Sequence, residues 1–108
     1  MSLVREVGAR RLEVKRATGK DLKRLRETPC LACGSVPSDV AHVKSVGAGG
    51  KMFMHNLIPL CRADHIVSHQ MGWSRFFEMH PQVKSHLEGM GWTFENLNGR
   101  FLSFHADN

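Results

Sequence analysis

Large apolar residues are sparse at the start of the chain and dense in its middle, and their spacing changes along the way. From Glu6 to Glu27 only Val7, Leu12, Val14, Leu22 and Leu25 stand out among charges, a spacing that predicts one or two helices with a break at Gly19. Thr28-Pro29 ends that segment. Pro29 to Pro37 is rich in turn formers, and Asp39 to Val46 follows as a short β-branched strand around Val40, His42 and Val43. Gly47-Ala48-Gly49-Gly50 connects it to a second apolar strand, Met52 to Leu60. Arg62 to Met71 then takes helical spacing and stops at Gly72; Trp73 to Met79 and Pro81 to Met90 read as two more short helices, the last with proline in its first turn. Trp92-Thr93-Phe94 and Arg100 to Phe104 flank Asn98-Gly99, the signature of a tight β-hairpin. The order of elements predicts an α+β fold.

Composition sharpens this picture in two places. At 108 residues the chain is near the size at which a hydrophobic core alone gives limited stability, so a structural metal would help. Its net charge of +5 is concentrated: residues 1–29 hold nine of the 15 Lys and Arg, among them Arg10, Arg11, Lys15 and Arg16. A basic segment beside a neutral body suggests a phosphate-binding arm, because every neutralised phosphate releases counterions; its plain alternative is a solvated helix. The chain divides on this basis into a basic helical segment, 1–28, and a domain, 29–108. No apolar run approaches the length that spans a bilayer. Three cysteines without a signal-like segment argue against a disulfide framework and for a cytosolic setting.

The cysteines carry the first chemistry. In Cys30-Leu31-Ala32-Cys33-Gly34, two intervening residues let both sulfurs face one tetrahedral ion, and Gly34 relieves the turn that follows. Such a pair alone is equally a redox motif. Cys61, at the expected strand-to-helix junction, separates the two readings in favour of zinc. For the fourth ligand, Asp64 lies three residues after Cys61 and His65 four after; neighbours on a helix diverge by about 100°, so one ion does not take both. His65 is the commoner zinc ligand. It also forms an i, i+4 pair with His69, the separation that sets two imidazoles on one helical face for a second metal. Giving Asp64 to the zinc and the His65/His69 pair to another ion uses every donor, but the spacing alone leaves the choice open.

His42, Asn56, His65 and His69, interleaved with Cys30, Cys33 and Cys61, resemble the HNH endonucleases of the His-Me finger superfamily. More closely, Ala41-His42-Val43-Lys44-Ser45, the glycine-rich loop, Asn56-Leu57-Ile58-Pro59-Leu60-Cys61-Arg62 and the His69 tail leading to Gly72-Trp73 are similar to small phage and prophage members, over about residues 29 to 92. The resemblance implies a ββα-metal core on a treble-clef-like zinc knuckle, with flanking helices and a C-terminal hairpin, acting on DNA in the cytoplasm of a bacterial or phage-infected cell. It implies His42 as the general base, Asn56 as the residue that holds the loop and orients the His42 ring, and His65 and His69 as ligands of a divalent ion such as Mg2+, Mn2+, Ni2+ or Zn2+. The position before the base is often Asp or His in that family and a metal ligand; here it is Ala41, for which Asp39, His69 or water would compensate. A zinc-stabilised DNA-binding module without cleavage is the rival expectation.

Lys44 and Arg62 flank this constellation and are candidates to contact phosphate, or else exposed solubilising charges. His55 is read as structural or DNA-proximal, and His80, His86 and His105 as surface residues without partners. Trp73, Phe76, Phe77, Met79, Leu87, Met90 and Trp92 form the expected core, extended by Phe94, Phe101, Leu102 and Phe104.

Overall fold

Thr18 starts the first helix, α1 (Gly19–Glu27), by a reciprocal cap: its hydroxyl accepts from the Asp21 amide at 3.2 Å, and the Asp21 carboxylate accepts from the Thr18 amide at 2.9 Å. This capping box makes Gly19 the first helical residue, where the sequence reading placed an interruption. The structure, a computed structural model, describes residues 15–105; Arg10 and Arg11, with the expected helix before Lys15, lie outside them. Residues 15–17 are not helical. They run extended against residues 52–54, with Ala17 N–H bonded to Met52 O at 2.8 Å and Met54 N–H to Lys15 O at 2.9 Å. The far end of α1 is tied down as well, by Ser38 N–H to Arg26 O at 2.8 Å and the Ser38 hydroxyl to Thr28 O at 2.6 Å.

Two short strands follow. β1 (Asp39–His42) pairs antiparallel with β2 (Leu57–Leu60), Asp39 opposite Leu60 and His42 opposite Leu57. Both are shorter than the apolar runs predicted. The cause is Asn56, whose fully buried side chain bonds the main chain of Lys44 and Lys51 and so takes the place of ladder partners. The chain between loops out instead of pairing, and residues 54–56 form a single 3-10 turn. Gly50 belongs to this arrangement: a Cβ there would overlap the Lys44 carbonyl.

Cys61 caps α2 (Arg62–Met79), which is broken at Gly72, where φ is 83° and ψ 160°. The helices expected on either side of Gly72 are therefore its two arms. α3 (Pro81–Gly89) begins on Pro81, and β3 (Trp92–Leu97) and β4 (Arg100–His105) form the expected hairpin, with φ of 52° at Asn98 and 80° at Gly99. The described residues thus make a small α+β fold of three helices and two two-stranded antiparallel sheets. No helix among them is long and apolar enough to cross a membrane.

The core joins both sheets to the helices: Ala41, Val43, Ile58 and Leu60 from the first sheet region, Phe76 and Phe77 from α2, Val83 and Leu87 from α3, and Trp92 from β3. The two indoles satisfy their N–H groups while staying packed, Trp73 on Val43 O at 2.8 Å and Trp92 on His55 O at 2.7 Å. Two expectations are corrected. Met79 is 57% exposed, because the chain turns at His80 into α3 and the core closes over Phe76 and Phe77 instead. His105 is no lone surface residue: its ring stacks on His55 at 3.9 Å, and its Nε2 lies 2.8 Å from Met90 O, which fastens β4 to the turn before β2. His80 also has a neighbour, the Phe76 ring at 4.8 Å.

Candidate metal centre and histidine cleft

A tight turn brings the first two cysteines together. Cys30 N–H bonds Ser35 O at 2.9 Å, Gly34 N–H bonds Cys30 O at 2.8 Å, and Gly34 takes a φ of 81° that favours glycine. Cys61 comes to them at the start of α2, and Asp64 on the first turn of that helix. The donor atoms of Cys30, Cys33, Cys61 and Asp64 all lie within 4.8 Å of one another. Cys33 Sγ and Cys61 Sγ are 3.7 Å apart, and Asp64 Oδ2 is 3.2 Å from Cys30 Sγ and 3.3 Å from Cys61 Sγ. Donors about 2.0–2.3 Å from a tetrahedral zinc ion are separated by about 3.3–3.8 Å. The spacing therefore fits one ion.

The protonation chemistry fits as well. The Asp64 amide favours the Cys61 thiolate, but burial and the surrounding carboxylate and thiols outweigh it and push the Cys61 thiol up to about 12. Burial opposes ionisation of Asp64 too, yet hydrogen bonds from the Cys33, Cys30 and Cys61 thiols hold its carboxyl below the usual range. An ionised carboxylate among three thiols is a donor set for a cation, and a divalent ion deprotonates thiols it coordinates. The cluster can hold a metal ion, and three cysteines with one carboxylate are consistent with structural zinc.

His65, one residue on, faces the other way. Its Nδ1 is 3.0 Å from Asp39 Oδ2, and its Nε2 is 3.2 Å from Nε2 of His69. The same Asp39 carboxylate accepts from Arg62 Nε at 2.8 Å and Nη2 at 3.3 Å. These hydrogen bonds, Arg62 first and His65 second, hold the Asp39 carboxyl below its ordinary value. With a carboxylate at Nδ1, the proton of neutral His65 sits there and the Nε2 lone pair points towards His69. Two imidazole nitrogens on a common metal ion lie about 3 Å apart, so the pair is spaced as two ligands would be. The Arg62 guanidinium, a candidate phosphate contact, pairs with Asp39 while its side chain stays 78% exposed.

His42 closes β1, half-buried. Its Nε2 is shielded from solvent with no hydrogen-bond partner, and burial first, then repulsion from His65 when that ring is protonated, hold its pKa below the ordinary imidazole value. His42 and His69 open into one cleft of about 500 Å³, bordered by Lys44, Ser45, Ser68 and Trp73 and closed on its far side by residues 101–104 of β4. Asn56 does not act on His42 as expected: Oδ1 accepts from Lys44 N–H at 2.8 Å, and Nδ2 donates to Lys44 O at 3.0 Å and Lys51 O at 2.9 Å. Ala41 is buried in the core, and Asp39, on the same face of β1, is the residue that reaches α2. His55 lies outside the cleft, among Phe53, Trp92 and His105. Lys15 and Arg16 are exposed.

Sequence reasoning missed the contribution of β4. Phe101 packs on Phe94 and Phe77 as expected of core, but Leu102 and Phe104 do not join it; the two-residue alternation of a strand was the signal that would have separated them. Comparison with family models, curated proteins and solved structures gives no match to this chain.

Proposed function

We propose that this protein is a metal-dependent DNA endonuclease of the HNH type, in which β1, β2 and the first arm of α2 serve as the ββα-metal core and Cys30, Cys33, Cys61 and Asp64 hold a structural zinc in a treble-clef-like knuckle. The observation that carries the reading is the pair of Nε2 atoms of His65 and His69, 3.2 Å apart, with His69 lining the same cleft as His42. His65 and His69 would hold the catalytic cation. A divalent ion there supplies positive charge against the charge that builds on the phosphate and the leaving oxygen.

The protein's own residues divide the remaining work. Asp39 keeps the His65 proton on Nδ1 and leaves Nε2 free as a donor; Arg62 keeps Asp39 ionised and in place. Burial holds His42 towards its neutral form, and the imidazole, which lines the cleft, takes the proton from the water that attacks phosphorus. Asn56 holds the Lys44–Lys51 loop, which brings Lys44 to the cleft edge to bind phosphate. Lys15, Arg16 and the exposed lysines and arginines of α1 add affinity for the DNA backbone without reading its sequence.

Supercoiled plasmid incubated with the zinc-loaded protein and Mg2+, Mn2+, Ni2+ or additional Zn2+ tests this reading. Nicking that disappears in a folded His42→Ala variant is the expected result; undiminished nicking by that variant removes His42 as the base. Ala41 favours a second reading, a zinc-stabilised DNA-binding module that no longer cuts. Salt-dependent DNA binding with no nicking under any of these cations would establish it.

A further inference from the structure

The cleft that holds His42 and His69 has two chemically different sides. Its β1 and α2 side offers the His42 and His69 imidazoles, the Lys44 amine and the Ser45 and Ser68 hydroxyls beside Val43 and Trp73; its β4 side offers Phe101, Leu102 and Phe104, with Ser103 the only polar side chain and no titratable group. The volume of about 500 Å³ is that of a site for one small ligand, since such pockets run from about 300 to 1,000 Å³. A continuous duplex laid across the cleft presents sugar and phosphate along both strands and keeps the faces of its bases stacked inside, away from an apolar wall. A single nucleotide turned out of its stack has the opposite polarity pattern: a phosphate at one end and an apolar, flat base at the other.

The aromatic residues are not equivalent as platforms. Trp73 is committed by its bond to Val43 O and its stack on Phe77, and Phe101 is stacked on Phe94. Phe104 is different. It is 48% exposed, stacks on no other ring among the described residues, and shares with Leu102 the face of β4 opposite Phe101 and His105. Together with Leu102, which also lines the cleft, it gives that wall an open ring on which a flat apolar group can stack.

We infer that Leu102 and Phe104 form a subsite for an unpaired nucleobase next to the scissile phosphate, which makes the substrate DNA with a displaced or unpaired nucleotide in preference to continuous duplex. The inference rests on the endonuclease reading for its choice of ligand, but it concerns binding and is tested by binding. Stacking of one base on an aromatic side chain contributes roughly 5- to 140-fold in affinity.

Fluorescence anisotropy at fixed salt, with zinc-loaded full-length protein and no other cation, compares three probes of equal length: a continuous duplex, the same duplex with one bulged nucleotide, and the bulge with an abasic residue in place of the unpaired base. The bulged duplex should bind at least 5-fold tighter than the other two, and Phe104→Ala, at a half-exposed position, should abolish that difference while leaving affinity for the continuous duplex unchanged. Equal binding of bulged and abasic probes, or a Phe104→Ala loss shared by all three, overturns the subsite. A Phe104-dependent preference for the bulge in a protein that cuts none of the probes with any added divalent cation supports the subsite and removes the endonuclease reading. No binding to any probe overturns both.

Discussion

Replacing Asn56 by alanine tests the centre of the arrangement, because this side chain is completely buried and its bonds are known. The substitution removes the acceptor of Lys44 N–H and the donors to Lys44 O and Lys51 O. Lys51 is exposed, so its carbonyl regains water; Lys44 is half-buried, and its two main-chain groups remain the cost. A buried polar group that loses its partner costs about 1–3 kcal/mol, which for two partly shielded groups gives about 2–4 kcal/mol. That is a large share of the roughly 5–15 kcal/mol that stabilises a whole domain. Urea denaturation of the zinc-saturated protein should show it as a midpoint lowered by about 1–2 M, taking a slope near 2 kcal/mol per M. Asn56→Asp keeps the acceptor but sets a carboxylate against two carbonyl oxygens, so it should be less stable than the alanine variant at pH 7 and recover as the pH falls and the carboxyl is protonated. A stability loss for Asn56→Ala below about 0.5 kcal/mol would refute the idea that these three bonds hold the loop.

Removing the knuckle metal with a chelator, or substituting Asp64→Ala, should lower the melting temperature and zinc affinity together, since binding to the folded site is linked to folding; full zinc affinity in Asp64→Ala, measured by competition with a chromophoric chelator, would exclude Asp64 as a ligand. Asp39→Asn should weaken binding of a second cation, read by titrating Mn2+ or Ni2+ into zinc-loaded protein, by about 10- to 100-fold, because His65 loses the carboxylate on its Nδ1; unchanged affinity would mean that Asp39 does not position the ring. The depressed pKa of His42 sets the sign of two pH effects. Below the ordinary value of 6.5 the unfolded chain binds the proton first, so the stability this residue contributes is full above pH 6.5 and is lost as the pH falls through it. On the proposed nuclease reading, the acid limb of kcat/KM for DNA cleavage should lie below pH 6.5; a limb above it would contradict a base held neutral by burial.

Features governed by neighbouring residues were legible in the sequence. The Asn98-Gly99 turn, the stop at Gly72, Pro81 at a helix start and the Cys30/Cys33 turn depend on the backbone freedom of a few consecutive residues, and they stand where those residues predict. The Thr18/Asp21 cap is equally local and was available in the same way, although the charge pattern drew attention to a longer helix. Spacing also narrowed the metal donors to the cysteines and to Asp64 or His65. It could not divide them, because Asp64 and His65 differ by one helical step of about 100°, and which of them meets the sulfurs depends on how α2 is rotated against the knuckle. That rotation is fixed by packing of the first arm, with Ser68 buried and Val67 and Met71 against the core. It carries Asp64 to the three sulfurs and His65 to Asp39, 26 residues earlier in the chain. The short strands, the Asn56 clasp on Lys44 and Lys51, the His55–His105 stack and the apolar side of the cleft have the same origin. Each joins groups that only the folded chain brings together, and burial then sets the charge state of the groups involved.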